Sequence, residues 1–364
     1  MRPHTIPNSP FPRSFNESTH ASSDPDAPTR ATDGDASLAR LSAVRKGYLN
    51  DDFAALFVPR AHLQPNRAPL INIGTWVRTI AIDRLVDQWL LRCEDQGVQA
   101  QIVSLGAGSD SRFWKLMAGS HASTLAKYVE VDFSEITGKK AMTIRKDRTL
   151  NGYLGPDTSP QLDNLSAGGG TGISSSVYNL VPADIRCPPD EALSALFTPD
   201  TPILSKTVPT LLLFECVLAY MPPSDSEALL AWFAAQFTDS APLGAVVYEM
   251  FGLEDSFGKM MISNLKSRGV SLPGVVPYKD QASLPNRFTK TGFSRSQAWT
   301  LKDIRKEYIE AEEHERVSTL ELVDEIEEID LVLSHYAITS GILVPQGLER
   351  WFAWDLPKLQ QGQV

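Results

Sequence analysis

Gln101-Ile102-Val103-Ser104-Leu105-Gly106-Ala107-Gly108-Ser109-Asp110 is an apolar run that ends in Gly-Ala-Gly. Further on, Lys127-Tyr128-Val129-Glu130-Val131-Asp132-Phe133 is a second apolar run that ends in an acid. A helix-like segment lies between them. Strand, glycine turn, helix, strand and acid in this order is how an open α/β sheet binds a nucleoside, the acid reading ribose hydroxyls. The glycines alone fit any tight strand-to-helix turn. Asp132 at the end of the second run is what favours a binding site.

Which nucleoside is bound decides the chemistry. A dinucleotide fingerprint has a third glycine three positions after the second, so that the helix can face its N-terminus to a pyrophosphate. Ser111 stands there instead. Asp110 sits at the mouth of the same helix, where it repels phosphate and suits a cation or a hydroxyl. S-adenosylmethionine has no phosphate and carries a sulfonium and an ammonium, so it fits these residues better than a nicotinamide dinucleotide.

Outward from this stretch, strands and helices alternate. Further strands are predicted at Ser176 to Leu180, Pro209 to Leu213, Ala245 to Phe251, a run ending at Trp299 to Lys302, and His335 to Ile342. Helices are predicted at Thr75 to Arg92, Ile136 to Leu150, Ser224 to Phe237 and Phe257 to Arg268. The alternation implies a doubly wound, mostly parallel seven-stranded α/β sheet. Residues 1–35 hold six prolines among polar residues, a composition expected to form a disordered arm. Leu38, Leu41 and Val44 then begin a helix that Asp35 or Ser37 could cap, so 36–364 reads as a single domain. Pro156, Pro160 and Gly168 to Gly170 mark a loop insertion at about 155–175.

Composition narrows the function. The net charge of −10 argues against nonspecific affinity for nucleic acid or an anionic membrane. Most of it comes from Asp303 to Asp330, where twelve acids face Arg305, Lys306 and Arg316; this stretch reads mainly as a solvated helical face. Cys93, Cys187 and Cys216 are odd in number and set among apolar residues, as buried thiols of a reducing compartment. With no apolar run of membrane-spanning length, the expectation is a cytoplasmic protein, with the nucleus also open to it. The six histidines are scattered, with no metal-ligand spacing and no Ser-His-Asp constellation about a Gly-x-Ser-x-Gly elbow.

Ligands of a doubly wound sheet bind beyond the carboxyl ends of its strands. Gly106, Asp132, Asp184 and Glu215 are the residues that end successive strands. Around them the chain becomes specific: Asp35-Ala36-Ser37-Leu38-Ala39-Arg40, Lys46-Gly47-Tyr48, Ala68-Pro69-Leu70-Ile71-Asn72-Ile73-Gly74-Thr75-Trp76-Val77-Arg78, Leu105 to Asp110, Glu130-Val131-Asp132-Phe133, Glu215-Cys216-Val217-Leu218-Ala219-Tyr220-Met221 and Phe257-Gly258-Lys259-Met260-Met261. In this order, from about Asp35 to the C-terminus, the chain resembles the leucine carboxyl methyltransferase family.

The resemblance implies a methyltransferase-type sheet with added helices forming a substrate lid. It also implies transfer of a methyl group from S-adenosylmethionine to the C-terminal leucine carboxylate of the catalytic subunit of type 2A protein phosphatases. By motif, Gly106 would approach the methionine part of the cofactor, Asp132 would hold the ribose, Asp184 and Ile185 would border the adenine, and Glu215 would lie near the methionine end. Arg40, Arg78 and Tyr220 would lie where cofactor and substrate carboxylate meet. The family often has Asp-Leu-Arg where this chain has Asp184-Ile185-Arg186; either residue keeps an apolar wall. A sister branch acting on transfer RNA carries a C-terminal propeller that this sequence lacks. The expected partner is the phosphatase subunit, bound by a monomer, with no metal.

A peptide α-carboxyl ionises at about 3.3 to 3.7, so it is already the nucleophile at neutral pH and needs no general base. Arginine holds a carboxylate in a defined plane through paired donors, which suits Arg40 and Arg78. Other readings stay open: another small-molecule carboxyl or O-methyltransferase on the same scaffold, a nicotinamide oxidoreductase, or an inactive phosphatase-binding module.

Overall fold

Alternate residues of the central strands pack into two different cores, one on each face of a single sheet. The computed structural model describes residues 24–155, 170–237, 239, 241–323 and 326–359. Its strands are β1 (Ala100–Leu105), β2 (Leu125–Asp132), β3 (Ile173–Ser174), β4 (Tyr178–Pro182), β5 (Thr210–Glu215), β6 (Leu243–Met250), β7 (Arg295–Thr300) and β8 (Tyr336–Leu343). They form one sheet in the order β3-β4-β2-β1-β5-β6-β8-β7. The five strands from β4 to β6 are parallel, and β3, β7 and β8 are antiparallel additions at the edges. The seven expected strands are present; β3 is an eighth, two residues long. It lies at the end of the stretch read as a loop insertion at 155–175, most of which falls on 156–169, outside the described residues.

Burial follows the pleat. Ile102, Leu211 and Leu213 face a cluster that contains Trp76, Leu85 and Trp89 of the long helix α2 (Pro69–Asp95). Val103, Leu212 and Phe214 face the other way, onto Leu229, Phe233 and Phe237 of helix Pro223–Phe237. Completely burying side chains of this kind contributes about 1.5 to 3 kcal/mol each. Trp89 also meets Trp351 and Trp354 at ring separations of 4.7 and 5.2 Å, which fastens the C-terminal segment to α2. Gly244 of β6 makes room for that cluster, because a Cβ there would stand 2.6 Å from the Trp89 ring.

Two helix starts differ from the sequence expectation, both at prolines. Helix α2 begins at Pro69 rather than Thr75, since a proline in the first turn lacks only an N–H that would have no intrahelical partner. Helix α1 (Ala27–Arg45) begins before the expected arm boundary at residue 35, with Pro28 in its first turn. Its entry is tied down by Arg186, which donates to both oxygens of Asp26 at 2.6 and 2.7 Å. Disorder is therefore not the state of residues 24–35, and the rest of the expected arm, 1–23, lies outside the described residues.

The acidic stretch is not simply a solvated face. Glu312, Glu315, Glu327 and Glu328 are exposed, but Glu321 accepts from Asn72 at 2.7 Å, Glu313 accepts from the Trp76 indole at 3.0 Å, and Glu310 pairs with Arg84. All three partners belong to α2. Asp330 is pinned by Lys306 at 3.1 Å, and Asp324 and Glu325 lie outside the described residues. All three cysteines are free, but only Cys93 is fully buried; Cys216 is half-buried and Cys187 exposed.

Candidate functional site

The strand order turns back between β1 and β5, with β2 and β4 running off to one side and β6 to the other. That reversal opens a crevice beyond the carboxyl ends of β1 and β5. A cavity of about 760 Å³ lies there, and Gly106, Asp132, Asp184, Ile185, Glu215, Tyr220, Arg40 and Arg78 all line it. Asp132 and Glu215 end β2 and β5, Gly106, Asp184, Ile185 and Tyr220 lie in the loops after β1, β4 and β5, Arg40 comes from α1 and Arg78 from α2.

Its floor is the turn after β1. Gly106 and Gly108 have φ of +65° and +50°, which a side chain rarely tolerates. A Cβ on Gly106 would stand 2.5 Å from Val217, and one on Gly108 would stand 2.5 Å from Asp33 of α1. Asp132 accepts from the Gly108 and Phe133 N–H groups, each at 2.7 Å. Burial nonetheless pushes its carboxyl up to about 6, against the pull of those two N–H bonds and with help from the Asp33 charge. Ser111, at the third-glycine position, is fully buried and donates to Asp51 at 2.6 Å, so a side-chain tie to the loop after α1 replaces close glycine packing.

The turn runs directly into a knot of charge. Arg40 lies 3.7 Å from Asp51, 3.6 Å from Asp110 and 3.7 Å from Glu215, distances that allow attraction but not hydrogen bonds. Arg112 donates to Asp83 at 2.9 Å and to Asp110, and lies 3.3 Å from Glu215. Asp110 is thereby held ionised well below the usual carboxylate range: burial opposes its charge, and Arg112, Arg40 and Lys140 outweigh that opposition. Arg78 Nε is 3.1 Å from Glu215 Oε1, yet both atoms are buried without a hydrogen-bond partner among the described residues. The Arg78 guanidinium also lies 5.2 Å above the Tyr248 ring.

Tyr220 closes this end. Its hydroxyl is 3.6 Å from Cys216 Sγ, and the neighbouring thiol, with burial, holds the phenol above its ordinary range, so it stays a neutral donor. Cys216 itself has φ of +60°, a strained position for a non-glycine residue directly after Glu215. At the opposite end, Asp184 accepts from Arg186, which also holds Asp26 of α1. Burial works against the Asp184 charge, but the Arg186 hydrogen bonds keep its carboxyl below the usual range. Ile185 supplies an apolar wall beside it.

The donor set fits the cofactor expected from the sequence. A ribose can be met by Asp132, an apolar base edge by Ile185, and a cationic tail by Glu215, all of which line the cavity. Arg40 and Arg78 supply N–H donors to the same end of the cavity. Sequence reasoning did not single out Asp33, Asp51, Asp83 or Arg112. Arg112 stands two residues after Asp110, and an arginine in the first turn of a helix, where the dipole disfavours cations, was the available signal.

The sequence model of the family described as leucine carboxyl methyltransferase matches residues 29–234. Leucine carboxyl methyltransferase 1 of Cryptococcus neoformans var. neoformans serotype D (strain JEC21 / ATCC MYA-565) is 43% identical over 340 residues, covering 87% of this chain and 93% of its own. The leucine carboxyl methyltransferase 1 homolog of Arabidopsis thaliana is 33% identical over 322 residues, covering 88% of this chain and 91% of its own. Among solved structures, geranyl diphosphate C-methyltransferase from Streptomyces coelicolor A3(2), in complex with Mg2+, geranyl diphosphate and S-adenosyl-L-homocysteine, covers 88% of this chain and 99% of that one. Its TM-score of 0.41 and identity of 11% are too low to bear on function.

Proposed function

The chain belongs to the leucine carboxyl methyltransferase family, and from that premise we propose that it methylates the C-terminal leucine α-carboxylate of a type 2A protein phosphatase catalytic subunit, with S-adenosylmethionine as donor. The observation that carries this reading is the convergence of Arg40 and Arg78 on Glu215, in the cavity that also holds the glycine turn and Asp132.

When bound, the cofactor supplies an electrophilic methyl on sulfur; a carboxylate oxygen forms the new O–CH3 bond as the C–S bond breaks, and no proton moves. Arg40 and Arg78 anchor one oxygen of the incoming carboxylate and leave the other toward the methyl group. Tyr220, kept protonated, adds a neutral donor that does not quench the nucleophile. Asp132 would hold the ribose, Asp184 and Ile185 would flank the base, and Glu215 would face the cationic end. Alignment and exclusion of water then supply the rate enhancement. Helices α1 and Ser256–Ser267 both contribute residues to the cavity wall, which suits the substrate lid expected there. Methylation removes the negative charge the arginines held, which favours release of the ester.

The test is incubation with radiolabelled S-adenosylmethionine and the phosphatase catalytic subunit, intact or lacking its last leucine. Base-labile label on the intact subunit alone is expected. Equal labelling of both forms would overturn the proposed acceptor.

A further inference from the structure

Successive N–H groups of the glycine turn each hold a carboxylate from a different element. Gly108 N–H donates to Asp132, at the end of β2, at 2.7 Å. Ser109 N–H donates to Asp33, on α1, at 2.7 Å, and the Ser109 hydroxyl donates to the other Asp33 oxygen at 2.9 Å. Both acids line the cavity. Each carboxylate oxygen has two lone pairs, so these contacts leave acceptor capacity on both side chains.

Two like charges on neighbouring amides repel, and the Asp33 charge contributes to the raised Asp132 carboxyl. Anchoring α1 does not require that cost. Asn or Ser at position 33 could accept from Ser109 without it, and α1 is already held by the Asp26–Arg186 pair and by the buried Arg40. A ribose presents two vicinal hydroxyl donors, and a second carboxylate beside the first is the arrangement that meets both.

Resting on the cofactor reading above, we propose that Asp33 is a second ribose-reading residue, accepting from one hydroxyl of the nucleoside while Asp132 accepts from the other. The sheet supplies one acid and the lid helix supplies its partner. Cofactor binding would thereby add a contact to α1 beyond those that already hold it.

Calorimetric titration of S-adenosylhomocysteine and its 2′-deoxy and 3′-deoxy forms tests this on the wild type, Asp33→Ala and Asp132→Ala. Wild type is expected to bind each deoxy form about tenfold more weakly, in line with loss of a charge-assisted hydrogen bond. Asp33→Ala should weaken the parent ligand by a similar factor and abolish the penalty for one deoxy form while keeping the other. Asp132→Ala should show the complementary pattern. Asp33→Asn, isosteric and retaining one acceptor for Ser109, should discriminate less than wild type against that same form, and it serves if the alanine variant fails to fold. Equal weakening of all three ligands in the Asp33 variants would mean a packing role and overturn the proposal, as would unchanged or tighter binding. Failure of the wild type to bind S-adenosylhomocysteine would instead overturn the cofactor reading on which it rests.

Discussion

Arg78 and Glu215 face each other at 3.1 Å across the mouth of the β1–β5 crevice, one from the middle of a long helix and the other from a strand end. Neither atom at that contact has a hydrogen bond among the described residues. They are held close by charge, and both side chains line the cavity.

Arg78→Ala should therefore cost activity far more than stability. Loss of one preorganised donor to a reacting oxyanion lowers turnover by about 10²- to 10³-fold. Glu215 keeps Arg40 and Arg112 as neighbours, so the fold is expected to survive. Single-turnover methyl transfer, with circular dichroism as the control, reads this out. Near-normal turnover would remove Arg78 from the site.

Arg40 should behave differently, because it is nearly buried and neutralises three acids. Arg40→Ala leaves Asp51, Asp110 and Glu215 undercompensated, and removing one member of a buried ionic group costs about 3 to 5 kcal/mol. Urea denaturation should show a large fall in midpoint at an unchanged slope. A shift no larger than that of Arg78→Ala would contradict the geometry.

Cofactor affinity should depend on pH through Asp132. Its carboxyl in the folded chain is raised to about 6 from 3.8. Below that value it is protonated and turns from acceptor to donor, so affinity falls as pH drops through about 6 and is flat above it. The sign for stability is opposite. The folded chain holds this proton more tightly than the unfolded one, so the Asp132 contribution favours folding at low pH and is lost as pH rises from about 4 to about 6. Titrations of S-adenosylhomocysteine between pH 5 and 8 (a range chosen to bracket the raised value) test the first statement, and affinity rising toward acid would refute it.

Gly244→Ala should destabilise without touching the site. The added methyl would meet Trp89 at 2.6 Å and Leu211 at 2.9 Å, and overpacking of this kind costs about 1 to 3 kcal/mol. Thermal unfolding should show the loss while cofactor affinity per folded molecule stays unchanged. A weakened affinity would show instead that β6 communicates with the crevice.

The parts of the fold that were legible in the sequence are those whose cause is local. An apolar run such as Gln101 to Leu105, bounded by glycine, has few other places to go than a buried central strand, and the strand-end residues Gly106, Asp132 and Glu215 follow from it. Asp33, Asp51 and Asp83 were not legible, because each is defined by a partner far along the chain: Ser109, Ser111 and Arg112. The start of α1 was hidden for the same reason. Its prolines read as disorder until Arg186, from beyond β4, is seen holding Asp26. The composition of the acidic stretch was visible, but only the packing of α2 shows which acids are engaged.

Helix α2 has 27 residues and so runs about 40 Å. Asn72, Trp76 and Arg84 are gripped by Glu321, Glu313 and Glu310, so the three staples bracket Arg78 along the helix. The acidic stretch thus clamps, at three points, the rod on which Arg78 is mounted. A nick between Glu310 and Glu321 would slacken that rod, and the aim of a guanidinium would be lost with every group in the cavity still in place.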